Sequence, residues 1–480
     1  MIKIQNYING KLVEPIGKSY LDNINPATGE VYSYIPDSDQ RDVEDAVDAA
    51  AAAFPKWSIM PVAERSAILL KIAALIDKAV NELALAESID QGKPLWLAKT
   101  MDIPRAAANF HFYATGAIHL STEAHATENT AINYTLRQPV GIAGCISPWN
   151  LPLYLFTWKI APALASGNCV IAKPSEITPM TAYLLSELCI EAGLPPGVLN
   201  IVHGLGPKVG AAIVQHKKIP VISFTGGTKT GEWIAQTAAP MFKKLSLELG
   251  GKNPNIVFAD CDFEEAVKVS VSAAFSNQGE ICLCGSRIFI ERSIYKQFRE
   301  AFIKRVSTLK VGDPLDDENR MGAMVSKTHM EKVLSYIKLA KEEGGSVLCG
   351  GNQLQLKGNN ANGFFIAPTV IEGLPYDCRT NLEEIFGPVV TIKPFDTEEQ
   401  VLEYANATQY GLAATIWTEN LKRAHRVAAQ LHSGIIWINC WLLRDLRTPF
   451  GGMKNSGVGR EGGFEAMKFF TEEKNICVKL

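Results

Sequence analysis

The sequence predicts an α/β protein with two doubly wound parallel-sheet domains and a small additional β element. Three observations carry this. From residue 139 onward, apolar strand-like runs (Gly141 to Ser147, Asn168 to Lys173, Leu199 to His203, Val221 to Phe224) alternate with helical stretches, the pattern of a parallel sheet with crossover helices. A second such series begins near Asn255 and continues through Ile288, Ser346, Val389 and Ile435. Between the amino-terminal region and the first series, Thr127 to Arg137 alternates polar and apolar residues, which suits an antiparallel hairpin projecting from the body.

The elements follow in order. Residues 5–35 read as short strands and turns, with Asn-Gly at 9–10 and Asn-Pro-Ala-Thr-Gly at 25–29 supplying turn chemistry. A helical region runs from about Asp42 to Tyr113, opened by Asp42, Val43, Ala46, Val47, Ala50 and Phe54 at helical spacing. Helices are expected over Leu155 to Ala165 and Met180 to Ala192, and the two sheets divide near Glu248 to Pro254. The tail, Lys474 to Leu480, is strand-like and available to pair with the hairpin.

Composition narrows the function classes. The chain has 480 residues, 47% hydrophobic and 20% charged, which fits a soluble globular protein of two or three domains. A net charge of −3 gives no electrostatic case for nucleic acid or an anionic membrane. Ten cysteines are too dilute for a disulfide scaffold, and none form a CxxC pair. Met1 to Gly10 is polar, and the longest apolar stretches, such as Ile160 to Val170, are broken by Pro162 and Gly167. Neither a secretory signal nor a transmembrane helix is expected, and a reducing cytoplasm is the natural compartment. The eight histidines show no ligand spacing, so no metal site is expected.

Chemistry concentrates in a few short motifs. In Phe275 to Arg287 (Phe-Ser-Asn-Gln-Gly-Glu-Ile-Cys-Leu-Cys-Gly-Ser-Arg), Cys282 lies just beyond a glycine turn, between a helix-like run and a strand. Donors facing such a thiol lower its pKa and make it a nucleophile. Glu248, in Leu247-Glu248-Leu249-Gly250-Gly251-Lys252, is a carboxylate among apolar neighbours, where a raised pKa suits a general base. Asn150, in Pro148-Trp149-Asn150-Leu151-Pro152, ends a strand between stiffening prolines and can offer its amide to an oxyanion. Lys173-Pro174-Ser175-Glu176 follows the second strand of the first sheet, where ligands sit and where a lysine and a glutamate can hold ribose or phosphate. Phe224 to Gly231 is a glycine-rich strand-to-helix turn whose amides attract pyrophosphate. Glu384, in Glu-Ile-Phe-Gly-Pro, and Glu461, in Gly459-Arg460-Glu461, add two further carboxylates.

Taken together, in this order and at these separations, the motifs resemble the NAD(P)-dependent aldehyde dehydrogenase superfamily over essentially the entire chain. The resemblance implies an NAD-binding domain (1–118 and 139–249), a catalytic domain (250–448) and an oligomerisation element (119–138 and 465–480). It also implies roles. Cys282 is the nucleophile that forms a thiohemiacetal and then a thioester, Asn150 and the Cys282 N–H hold the oxyanion, Glu248 activates water, and Glu461 is a secondary proton relay. Lys173 and Glu176 bind the adenosine ribose. Gly226, Gly227 and Gly231 border the pyrophosphate, Trp149 lies against the cofactor, and Glu384 with Phe386 positions the nicotinamide. Many members carry serine where this chain has Gly227, which leaves that contact to the backbone. Glu176 accepts from the 2′-hydroxyl of NAD and repels a 2′-phosphate, so NAD is expected before NADP. A homo-oligomer, dimer or tetramer, is expected.

The substrate is read from the pocket rim. Trp441-Leu442-Leu443-Arg444-Asp445-Leu446-Arg447 places Arg444 where many members have apolar residues, and Arg105 approaches from the early helical region. Two arginines suit a substrate carboxylate opposite the aldehyde. With Asn439-Cys440-Trp441 and Gly459 to Gly462, this stretch resembles the subgroup acting on 2-aminomuconate and 2-hydroxymuconate semialdehydes. A bland alternative pairs the arginines with Asp445 or other internal acids. A second substrate reading is betaine aldehyde or another amino aldehyde, held in an aromatic box of Trp441, Trp158 and Tyr154. Two readings from other classes remain, a non-catalytic protein on the same scaffold and a CoA-dependent acylating enzyme; retained Cys282, Glu248 and Asn150 argue against the first, and Glu248 against the second.

Overall fold

A computed structural model describes residues 1–480. Five strands form the parallel centre of the first sheet, in spatial order Lys244–Glu248, Val221–Thr225, Ile142–Ile146, Cys169–Lys173 and Leu199–Ile201. The antiparallel strands Asn6–Ile8 and Lys11–Val13 extend one edge, and Gly457–Val458 closes the other by pairing antiparallel with Leu247 and Glu248. The chain starts in the middle at Ile142–Ile146, winds outward to Leu199–Ile201, then returns to the other side at Val221–Thr225. The order therefore reverses between Ile142–Ile146 and Val221–Thr225. At such a switch point the loops leaving the strand ends diverge and open a crevice.

The second sheet runs Ser346–Cys349, Thr369–Glu372, Val389–Phe395, Arg287–Glu291, Pro254–Val257, Ala413–Trp417 and Ile435–Ile438. It is parallel except for Ser346–Cys349, an antiparallel edge strand, which corrects the expectation of a wholly parallel series. Lys244–Glu248, Thr369–Glu372 and Ala413–Trp417 were not visible as strands in the sequence pattern, since each is short and buried on both faces. A third sheet joins Ala124–Thr127, Ala131–Pro139 and the tail Thr471–Lys479. The expected pairing of hairpin and tail is present, and Ile132, Leu136 and Val478 are exposed on it.

The helical region divides into Gln40–Ile59, Val62–Lys78, Val80–Gln91 and Ile103–Gly116. Asp39 caps the first, accepting from the Arg41 N–H while Asp42 reaches back to the Asp39 N–H, a reciprocal arrangement that satisfies free helix-end donors. Helix Pro152–Ala165 is apolar on nearly every face because it packs against the sheet, Val62–Lys78 and Ile103–Gly116. It carries Tyr154, Trp158 and Lys159. Ile281 and Leu283, which flank Cys282, are buried in the first domain's core although the chain there belongs to the second domain. The nucleophile loop is thus clamped between the two.

Candidate active site

The crevice at the switch point receives Pro148-Trp149-Asn150 from one strand end and Thr225-Gly226-Gly227 from the other. Glu248 is the last residue of the neighbouring strand. Cys282 arrives from the second domain, in the loop between helix Phe263–Phe275 and strand Arg287–Glu291. Two cavities meet at this thiol. One, of about 310 Å³, is lined by Cys282, Glu248, Glu461, Arg105 and Arg444. The other, of about 250 Å³, is lined by Cys282, Trp149, Asn150, Gly226, Gly227, Glu384 and Phe386. A group bound in each would face the other across the sulfur.

The nucleophile loop bends sharply. Asn277, Gln278 and Gly279 all have positive φ, of 51°, 55° and 72°, a conformation that costs non-glycine residues about 1 kcal/mol or more each. Side chains hold it in place. Asn277 Nδ2 donates to the Asn150 and Glu280 carbonyls at 3.0 and 3.2 Å, and Gln278 Nε2 donates to Ala323 at 3.1 Å. Glu280, fully buried, accepts from Gln91 Nε2 at 2.6 Å and from the Val325 N–H at 3.2 Å. A Cβ on Gly279 would stand 2.3 Å from the Gly387 carbonyl oxygen. Gly279→Ala is accordingly expected to cost about 2 kcal/mol or more; thermal unfolding checks this, and wild-type stability would contradict it.

Burial, with the Glu384 and Glu248 carboxylates nearby, pushes the Cys282 thiol above the ordinary cysteine range, while Arg444 pulls it down. This corrects the expectation that local donors lower its pKa. Burial is the larger cause, and the two carboxylates add to it.

Glu248 is buried, and neither carboxylate oxygen has a hydrogen-bond partner in the protein. Burial first, then the Glu461 charge, pushes its carboxyl well above the usual range, as a base for water requires. Glu461 is held differently. Its Oε1 accepts from Lys159 Nζ at 2.7 Å and Ser223 Oγ at 2.9 Å, and Lys159 also donates to Ser223 Oγ at 3.1 Å. Lys159 and Ser223 were not singled out from the sequence. The one available signal was a lysine inside an otherwise apolar helix, since a buried charge needs a partner.

Asn150 is buried and its Nδ2 donates to the Glu280 carbonyl at 2.9 Å. A primary amide carries two N–H groups, so one is committed to the nucleophile loop and one remains for an oxyanion.

The second cavity has the features of a nucleotide cleft. Trp149 and Phe386 meet edge to face at 5.3 Å, and His329, unremarked in the sequence, packs on Trp149 at 5.0 Å. His329 Nε2 hydrogen-bonds the Phe386 carbonyl at 2.6 Å, and burial lowers its pKa to about 4. Glu384 Oε1 accepts from the Gly251 N–H at 2.8 Å, and a Cβ on Gly250 would lie 2.4 Å from the Glu384 carboxylate. The paired glycines let the carboxylate reach the cleft. Gly227 precedes helix Thr228–Ala238, and a Cβ there would meet open space. Gly231 is different: it lies inside the helix against Leu249, 2.5 Å from where its Cβ would be, and does not line the cleft. It packs closely against that side chain. Lys173, at the end of the next strand, donates to Glu176 at 2.8 Å.

On the substrate side, Arg444 Nη1 donates to Tyr154 Oη at 2.7 Å, and its guanidinium lies over the Phe450 and Trp158 rings at 4.1 and 5.3 Å. Arg105 lies over Tyr154 and Trp158 at 5.6 and 5.8 Å, and its Nε and Nη2 are buried without partners. Asp445 does not neutralise Arg444, because it pairs with Arg447 at 2.6 Å. Trp158 is buried behind this wall and Trp441 donates its indole N–H to the Leu283 carbonyl at 3.0 Å; neither lines the cavity. Both support the site from behind, Trp158 under the arginines and Trp441 under the nucleophile loop. They do not form an aromatic box.

A half-buried thiol with an adjacent oxyanion donor, a desolvated carboxylate and a nucleotide cleft opening onto the same sulfur defines a thiol-dependent oxidoreductase acting on carbonyl substrates. The aldehyde dehydrogenase family model matches residues 13–476, and the chain belongs to that family. It is 52% identical over 482 residues to the 2-aminomuconic semialdehyde dehydrogenase of Bos taurus, covering 100% of this chain and 99% of that protein. It is 47% identical over 486 residues to the 2-hydroxymuconic semialdehyde dehydrogenase of Pseudomonas sp. (strain CF600), covering 100% of both. The NAD+ complex of an aldehyde dehydrogenase from Bacillus cereus superposes with a TM-score of 0.97 at 41% identity, covering 100% of this chain and 97% of that one. The protein is an oxidoreductase that converts aldehydes to acids.

Proposed function

We propose that this enzyme oxidises a semialdehyde bearing a carboxylate remote from the aldehyde, of the 2-aminomuconate or 2-hydroxymuconate type, with NAD as the hydride acceptor. The observation that carries this is the pair Arg105 and Arg444, both lining the cavity of Cys282 and neither ion-paired with a carboxylate of the protein. Guanidinium groups on a cavity wall with no protein anion beside them suit a carboxylate carried by a ligand. The names of the two muconic relatives agree with that chemistry.

The residues divide the reaction. Cys282 Sγ attacks the aldehyde carbon, and the free Asn150 N–H with the Cys282 backbone N–H receives the oxyanion. Trp149, Gly226, Gly227, Glu384 and Phe386, with Lys173 and Glu176, would hold NAD, which would accept the hydride that leaves the substrate carbon as the Cys282 adduct becomes a thioester. Once a thioester stands on Cys282, Glu248 removes a proton from the attacking water and Glu461, fixed by Lys159 and Ser223, takes it onward. Glu176 favours NAD over NADP, since a carboxylate repels a 2′-phosphate.

The alternative substrate, betaine aldehyde, finds no support at the rim. The rings that would surround its ammonium already carry Arg105 and Arg444, which repel a cation. The exposed apolar residues of the third sheet, Ile132, Leu136 and Val478, support a homo-oligomer built through it. No helix is long and apolar enough to cross a membrane.

Arg444→Ala is expected to raise KM for a muconate-type semialdehyde by about 10- to 100-fold, the loss of one charged hydrogen-bonded contact. KM for hexanal should stay near wild type. Steady-state kinetics on the two substrates checks this; an equal effect on both would sink the carboxylate assignment.

A further inference from the structure

Behind Asn150 lies a charged cluster that the reaction described so far does not use. Lys93, Glu87 and Asp102 are all fully buried. The Lys93 ammonium donates to Glu87 Oε1 at 3.4 Å, to Asp102 Oδ2, and to the Asn150 backbone carbonyl at 3.0 Å. Glu87 Oε2 accepts from the Leu153 N–H at 3.1 Å, at the start of the helix that carries Tyr154. The turn presenting Lys93 is itself fixed: Gly92 has a φ of 87°, and Ser88 Oγ donates to the Lys93 carbonyl at 2.7 Å.

As a source of stability such a cluster is poor, because desolvating three charges offsets most of their attraction, and apolar side chains of similar volume would serve as well. What it provides is position. Its three acceptors belong to three separate elements: helix Val80–Gln91, the Asn150 turn, and the π-helical turn Ala98–Asp102. That last turn supplies Thr100 and Met101 to the substrate cavity wall and leads directly into Pro104 and Arg105. The Asn150 carbonyl accepts from Lys93 and also from Asn277 Nδ2 of the nucleophile loop, while the Asn150 side chain holds the Glu280 carbonyl of the same loop. Burial pushes the Glu87 carboxyl up, to about 8, with the Lys93 charge opposing it.

We propose that Lys93 is a positioning residue for oxyanion stabilisation: it fixes Asn150 against both the nucleophile loop and the Arg105-bearing wall. The proposal rests on aldehyde oxidation by Cys282 and not on the identity of the substrate.

The test is a double-mutant cycle on the full-length enzyme with saturating NAD, using hexanal and 2-hydroxymuconate semialdehyde in parallel. Lys93→Met is expected to lower kcat/KM about tenfold or more for both aldehydes, since small misplacements of an oxyanion donor are costly. KM for NAD should be unchanged. In an Asn150→Ala background the same substitution should cost less than about twofold, because the group it positions is gone. An equal loss in both backgrounds would overturn the proposal, since a merely structural lesion acts whether or not Asn150 is present. If Lys93→Met does not fold, Asp102→Asn keeps the shape of the cluster, and the same comparison with and without Asn150→Ala decides in the same way. Failure with the semialdehyde alone would indict the substrate assignment and leave Lys93 in place.

Discussion

Cys282→Ala is expected to abolish aldehyde-dependent NADH formation, with kcat falling about 10⁴-fold or more, as for other enzymes stripped of their nucleophile. NAD binding should persist, because the cleft residues Trp149, Gly227 and Glu384 do not depend on the sulfur for their placement. Cys282 is the lone thiol where the two cavities meet. Cys284, two residues on, is buried and lines neither of them. A Cys282→Ala enzyme within tenfold of wild type would remove the covalent mechanism. Stopped-flow NADH absorbance with a parallel NAD titration makes the measurement.

Glu248→Gln is expected to separate the two halves of the reaction. Thioester formation does not need a base for water, so a burst of NADH equal to the active-site concentration should survive. Turnover after it should slow by about 10²- to 10⁴-fold, the range for losing a general base. The pH dependence follows from the direction of the shift. Glu248 acts as its anion, and burial and Glu461 raise its pKa. Wild-type turnover should therefore fall as pH drops through a value well above the ordinary glutamate pKa of about 4.3, and this limb should vanish in Glu248→Gln. The thiol contributes a separate limb in the burst rate, which rises with pH as the thiolate accumulates, because the Cys282 pKa is also raised. Loss of the burst itself in Glu248→Gln would show that Glu248 serves acylation.

Much of the candidate site was legible because it sits in short contiguous motifs: Cys282, Glu248 and Asn150 each stand out through the glycines and prolines beside them. The doubly wound sheets were legible because crossover helices separate apolar strands at regular intervals. What stayed hidden depends on contacts distant along the chain. Lys159 meets Glu461 across 302 residues and Lys93 meets Asn150 across 57, and no local pattern marks either pair. Aromatic residues near a motif were a poor guide to the cavity, since Trp158 and Trp441 are used for support. The arginines were readable as candidates, but that Asp445 pairs with Arg447 and not with Arg444 needed geometry.

The central claim is that a Cys282 dehydrogenase selects its aldehyde through a carboxylate. The most direct test measures kcat/KM by NADH formation for wild-type enzyme on 2-hydroxymuconate semialdehyde, betaine aldehyde and hexanal under identical conditions. The semialdehyde should lead the other two by about 100-fold or more, the value of a charged arginine–carboxylate contact. A preference for betaine aldehyde, or parity with hexanal, would contradict it.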